Sequence, residues 1–206
     1  AFVCDPFDEI PGQANPYYGA SGAFTREAGY RGYLVTRLDG PGWRVAQDLV
    51  VRAVVAELEI DAGGIGYFDL EPAGDTPLDA IVIDNVGHLG NATIRRTHDA
   101  LAAAGWPTHL DEHDVEFGTP PALELCPDAR WYFGWYRLNR YNDAFAWTRG
   151  SLGLHLDSFS ARNYRKAGSW AAGALAAGVT ATAGAVWEPF YGGFIEGETL
   201  LTAFVQ

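Results

Sequence analysis

A histidine and an aspartate stand two residues apart in the run SLGLHLDSFSA, at His155 and Asp157, with Ser158 beside them. On a strand, residues two apart point to one face, so this imidazole and carboxyl could pass a proton to a shared partner as a general acid and base. The ordinary reading of the same residues is that a lone histidine in an apolar strand satisfies itself in the core, while Ser158 and Ser160 cap or turn the chain. A nucleophile is harder to find. Cys126 could serve only if the fold brought a loop thiol against His155. Cys4 completes the pair of cysteines, and parity alone leaves their pairing open.

A second string, His109-Leu110-Asp111-Glu112-His113, has the H-x-x-E-H form of certain zinc peptidases. That chemistry needs the two histidines one helical turn apart and a third protein ligand. Here the string follows Pro107 in a short run crowded by Asp111, Asp114 and Glu116. In an extended segment its histidines would lie about 13 Å apart, too far to share an ion. A solvated acidic loop is the preferred reading, and no metal is expected. The chain has neither a G-x-x-x-x-G-K-[ST] loop nor a G-x-G-x-x-G after a strand, so no nucleotide or other cofactor is expected.

Aromatic residues crowd between Trp131 and Trp147. Tyr132 and Tyr136 are expected in the core; Trp135 and Trp147 are candidates for stacking on a sugar or anchoring a protein, since tryptophan offers rigid apolar area with a polar tip.

These residues need a scaffold. Gly42 to Glu59 carries apolar residues at three- and four-residue spacing, which predicts a helix with one apolar stripe. Ala92 to Ala104 reads as a second helix stopped by Gly105-Trp106-Pro107, and Ser169 to Ala177 as a third closed by Gly178. Strands are expected at Tyr30 to Leu38, Ile65 to Leu70, Thr108 to Leu110, Trp131 to Leu138, Ser151 to Phe159 and Val179 to Val186. Leu78 to Val86 fits strand or helix equally. Apolar strands alternating with helices predict an α/β fold, a doubly wound and mainly parallel sheet with helices on both faces. The Pro- and Gly-punctuated residues 1–29 form an irregular arm, and 30–206 a single α/β domain.

In such a sheet, ligands sit beyond the carboxyl ends of the strands. The strand-end candidates are therefore Arg37 and Asp39, Asn139 and Asp143, His155 with Asp157 and Ser158, and Trp187 with Glu188, together with Trp135. Each has a bland alternative: Asp39 caps its helix and Arg37 pairs with a nearby carboxylate. If they form a site, they converge on one edge of the molecule.

Composition narrows the partners. Twenty-six acidic against 14 basic residues give a formal charge of −12, which repels polyanions unless a local basic patch intervenes. The densest basic cluster, Arg162, Arg165 and Lys166, is too small for that, so neither nucleic acid nor an anionic membrane surface is an expected partner. The most apolar stretch, Trp170 to Val186, is interrupted by Gly173, Gly178 and Gly184 and falls short of the roughly 20 apolar residues a span requires. It reads as core, and no membrane insertion is expected.

Several strings resemble, in order, an uncharacterised bacterial family found in genomes with exosortase and the PEP-CTERM sorting system. They are NPYYG at Asn15, YLVTRLDGP at Tyr33, WYFGWYRLNRYNDAF at Trp131, HLDSFSA at His155 and GVTATAGAVWEPF at Gly178. The later half of that family resembles the gingipain and caspase-like fold, where a strand ending in histidine precedes one ending in a cysteine nucleophile. No cysteine follows His155 here, and family members often carry a second histidine where this chain has Asp157. The resemblance implies a periplasmic or extracellular, non-catalytic caspase-like module that binds a protein or glycan. The competing expectation is a hydrolase using His155 and Asp157. Family members usually begin earlier than Ala1 and run on beyond the equivalent of Gln206, so the resemblance also implies a fragment or a processed chain.

Overall fold

The computed structural model describes residues 37–58, 63–71, 86–113, 115–119, 125–135 and 139–186. The chain divides into two compact units, residues 1–37 and 38–206, and all the regular structure described lies in the second. The expected arm, the first strand before Arg37, most of Leu78 to Val86, and Trp187 and Glu188 lie outside the described residues. Arg37 and Leu38, which are described, are not in strand conformation.

In chain order the elements are α1 (Trp43–Leu58), β1 (Ile65–Asp69), α2 (Val86–Ala103), β2 (Thr108–Asp111), β3 (Cys126–Trp135), β4 (Phe145–Leu156), α3 (Trp170–Ala177) and β5 (Ala181–Ala183). The five strands form one sheet in the order β2-β1-β3-β4-β5, and every pair is parallel. After β1 the chain winds outward to β2, then returns to lay β3 on the other side of β1 and continues to β5. The order therefore reverses between β1 and β3, where an α/β sheet opens a crevice at its carboxyl edge.

Strand alternation gives the sheet two apolar faces. Phe68, Trp131, Phe133, Leu152, Leu154 and Leu156 point one way and pack with Ile94 and Leu101 of α2. Tyr67, Tyr132 and Phe145 point the other way and pack with Trp170, Ala174 and Leu175 of α3 and Leu49 of α1. Crossovers of one hand put helices on opposite faces when the winding direction reverses, so α2 and α3 cover different sides. Full burial of Phe68, Trp131 and Phe133 contributes about 2–3 kcal/mol each relative to exposure.

Two features depart from expectation. The α1 stripe predicted to face the core is largely outside it: Trp43 is 72% and Leu58 79% exposed, and Val50 and Val54 are exposed too. The side that packs is centred on Leu49, with Val45 against the same cluster. Arg52 adds hydrogen bonds from Nη1 to the carbonyls of Leu175 and Val179 at 2.8 and 3.1 Å. Periodicity located the helix but not its buried face, because the long stem of Arg52 lets a basic residue occupy the packed side.

The second departure is that β3 and β4 are parallel yet joined by residues 136–144 with no helix among the described ones. Parallel neighbours usually need a dozen or more residues to cross back. Here the described part, 139–144, runs over the Tyr132 face: Tyr141 packs on that core, its N–H donates to the Gly168 carbonyl at 3.0 Å, and Asn142 Nδ2 donates to Thr119 Oγ1 at 3.0 Å. Among the described residues, no helix is long and apolar enough to cross a membrane.

Candidate functional site

Register brings the chemistry into line. Asp69, the last residue of β1, pairs with Asp111 of β2 on one side and with Gly134 of β3 on the other, and Gly134 pairs with His155 of β4. Asp111, Asp69, Gly134 and His155 thus form one row across the carboxyl edge, with their side-chain positions on the α3 face. With strands about 4.8 Å apart, Asp69 and His155 flank Gly134 from backbones about 10 Å apart. The missing side chain at Gly134 makes room for the Tyr132 hydroxyl beside Asp69. A Cβ there would come within 2.6 Å of both Asp69 Cβ and the Tyr132 hydroxyl.

A narrow, half-open pocket with room for about one water-sized group lies here, lined by Asp69, Glu116, Phe117, Tyr132, Arg140, Asn142, Phe145, His155 and Trp170. Asp69, Glu116 and Tyr132 are buried, whereas Arg140 is exposed. The Tyr132 phenol lies beside Asp69, and its ionisation is pushed well above the ordinary range, first by burial and then by the negative charges of Asp69, Cys126 and Glu116. Tyr132 is therefore a neutral donor. Glu116 Oε2 accepts a hydrogen bond from Thr119 Oγ1 at 2.8 Å.

The His155 side chain is fully buried, its ring lying face to face on Trp170 with centroids 4.9 Å apart and planes 7° from parallel. Asp157 is close, with Oδ2 3.9 Å from His155 Nδ1. Much of the Asp157 carboxylate is occupied in holding loops: Oδ2 accepts the Asn139 N–H, and Oδ1 accepts the Phe159 N–H at 3.2 Å. Asn139 has φ 54°, in the left-handed region that asparagine tolerates better than most residues. Its Oδ1 accepts the Trp170 N–H at 3.3 Å, satisfying one of the donors that a helix start leaves open. Asp157, Asn139 and Trp170 thus form a chain of hydrogen bonds that fixes the ring against which His155 lies.

Ser158 is half-buried in the turn between Asp157 and Ser160. Ser160, fully buried, is held at the carbonyls of His155 and Asp157 and accepts the Ala185 N–H at 3.1 Å, which ties the exit of β5 to the exit of β4. Asp39 Oδ1 accepts the Gly40 N–H at 2.8 Å and pairs with Arg165 Nε at 3.5 Å. It thus shapes the approach to α1 and has a basic partner in the loop before α3. Arg37 is exposed and belongs to the N-terminal unit. Trp135 points to the opposite face, where its Nε1–H donates to Asn91 Oδ1 at 2.6 Å; alternation from Tyr132 and Gly134 requires this. Of the sequence candidates, the structure brings together His155, Asp157 and Asn139, with Ser158 adjacent, and sets Trp135 behind the sheet.

Asp69, Glu116, Arg140 and Asn142 were missed. Asp69 is the last residue but one of the expected strand IGYFDL and falls under the same strand-end rule that selected Asp39. Glu116, Arg140 and Asn142 sit in irregular chain, and no local pattern announces them.

The other chemical candidates sit elsewhere in function. His109 lies on strand β2, its ring 5.8 Å from Tyr67 and 5.9 Å from Phe117. Beyond the strand, exposed His113 bonds to Asp111 Oδ1 through its ring, and its N–H donates to the same oxygen at 3.1 Å. The string is not helical, and among the described residues no group of three or more His, Cys, Asp or Glu could hold a metal ion. Cys126 is buried at the amino end of β3, eight residues and about 26 Å of strand from the level of His155, so the two form no dyad. The chain matches no protein-family model and no solved structure.

Proposed function

We propose that this chain is a caspase-like module related to the exosortase-associated family, acting outside the cytoplasm by binding a protein or glycan, not by cleaving one. The observation that carries the reading is the state of His155: a catalytic histidine must reach a substrate proton, and this one has a fully buried side chain lying face to face on Trp170. Two further facts support it. The neighbouring strand β5, Ala181–Ala183, and the Gly184 and Ala185 that follow carry no thiol, and the Thr182 hydroxyl donates to the Gly153 carbonyl at 2.9 Å. Cys126 lies at the far end of the sheet. A caspase-like reaction without a thiolate lacks the step that forms its covalent intermediate.

A mixed peptide library incubated with the protein should be returned uncut, by wild type and by His155→Phe alike. Cleavage by wild type that disappears in His155→Phe would overturn the reading in favour of a hydrolase. One observation favours that second reading, the convergence of Asp69, Glu116, Tyr132 and His155 on one pocket at the switch point of the sheet.

A further inference from the structure

The pocket over Gly134 is graded in charge and narrow in shape. Its buried members include two carboxyl groups, Asp69 and Glu116, and the neutral phenol of Tyr132; its exposed member is the guanidinium of Arg140. Phe117, Phe145 and Trp170 close the sides, all of them buried. They offer edges and faces, not an open platform, so the flat face of a sugar ring has nothing to lie on. Whatever enters must be small, and it must donate hydrogen bonds, because carboxylates only accept them. Positive charge on the entering group is favoured twice, by the local carboxyls and by a chain of formal charge −12. The exposed Arg140 of the same lining offers a planar guanidinium, which recognises carbonyl or carboxylate oxygen.

We infer that the pocket captures a primary ammonium group carrying a carbonyl one carbon away, the arrangement at the free amino end of a polypeptide. Asp69 and Glu116 receive the ammonium, which is close to a water molecule in size, and Arg140 receives the first carbonyl. Capture of a chain terminus by a small polar pocket is a known mode of peptide recognition. Gly134 lets the Tyr132 hydroxyl sit beside Asp69, since a Cβ there would come within 2.6 Å of both. The inference rests on the binding-module reading and gives its partner a chemistry.

The test uses the full chain and three short peptide amides in calorimetric titration: one with a free amino end and no lysine, the same peptide acetylated, and an acetylated peptide with one internal lysine. The free-amine peptide should bind, and acetylation should weaken it about tenfold or more, the loss expected for a charge-assisted hydrogen bond. Asp69→Asn and Arg140→Ala should each weaken it by a similar factor; because Arg140 is exposed, its variant keeps the test valid should Asp69→Asn fold poorly. Binding of the lysine peptide as tight as that of the free-amine peptide would keep the ammonium site and move its source to a side chain. Equal binding of the acetylated and free peptides, lost in Arg140→Ala, would overturn the ammonium inference and leave the binding module standing. Cleavage of the bound peptide would overturn the non-catalytic reading alone, and no binding of any of the three would overturn the inference.

Discussion

His155 shows how burial changes what a residue type means. In sequence it is the obvious proton carrier; in the fold its ring is a packing surface for Trp170. His155→Ala should lower stability by about 2–4 kcal/mol, the range for emptying a packed site of this size. His155→Phe, which keeps a flat ring, should cost less than about 1.5 kcal/mol. Urea midpoints at neutral pH distinguish the two, and a negligible loss in His155→Ala would mean that the ring is not a packing element. Tyr132 and Tyr141 make a pH prediction. Burial is the first cause raising both phenols well above their ordinary range, so above about pH 10 the unfolded chain releases protons that the native chain retains. Stability from these groups is complete below that pH and falls as pH rises, by about 1.4 kcal/mol per pH unit for each tyrosine. Denaturant titrations from about pH 9 to 11 should show this slope, and Tyr132→Phe should remove about half of it. The His155 and Asp157 pairing was legible because period-two alternation is local. Asp69 was legible in principle, whereas Arg140 and Glu116 depend on where irregular chain crosses the sheet.

The elements were read more securely than their ends. α3 and its stop at Gly178, α2 ending before Gly105, and β1 follow the pattern of apolar residues and breakers. β3 and β4 each begin about five or six residues earlier than their apolar runs suggest, at Cys126 and Phe145. Register shifts between Cys126 and Trp131 interrupt the regular alternation, so the early residues carry no period-two signal. The link between β3 and β4 was not legible at all, since sequence spacing suggested helices between parallel strands. Its length is close to the geometric minimum: from Trp135 to Phe145 the chain reaches at most about 35 Å, and returning along a ten-residue strand takes about 30 Å. Deleting exposed Asp143 should therefore strip Tyr141 or Asn142 of its contacts and lower the melting temperature by several degrees, whereas inserting one glycine there should cost much less. Thermal melts of the two variants provide the comparison, and equal tolerance of both would show that the link has slack.

For the molecule as a whole, charge and topology set the behaviour. A formal charge of −12 in 206 residues repels itself in the compact state, so moderate salt should stabilise the protein up to the point where screening is complete, at a Debye length of about 8 Å near 0.15 M. A melting temperature that falls as sodium chloride rises to that level would contradict this. The strand order has a further consequence. The described sheet places its longest strands, β3 and β4 with 10 and 12 residues, in the interior, and its shortest, β2 and β5 with four and three, at the two margins. An unpaired strand edge is a template on which a second sheet can grow, and the template is as long as the strand that ends the sheet. With only three or four residues at either border of the described sheet, a neighbouring chain finds too few backbone donors and acceptors there to extend it, which guards the parallel core against edge-to-edge aggregation.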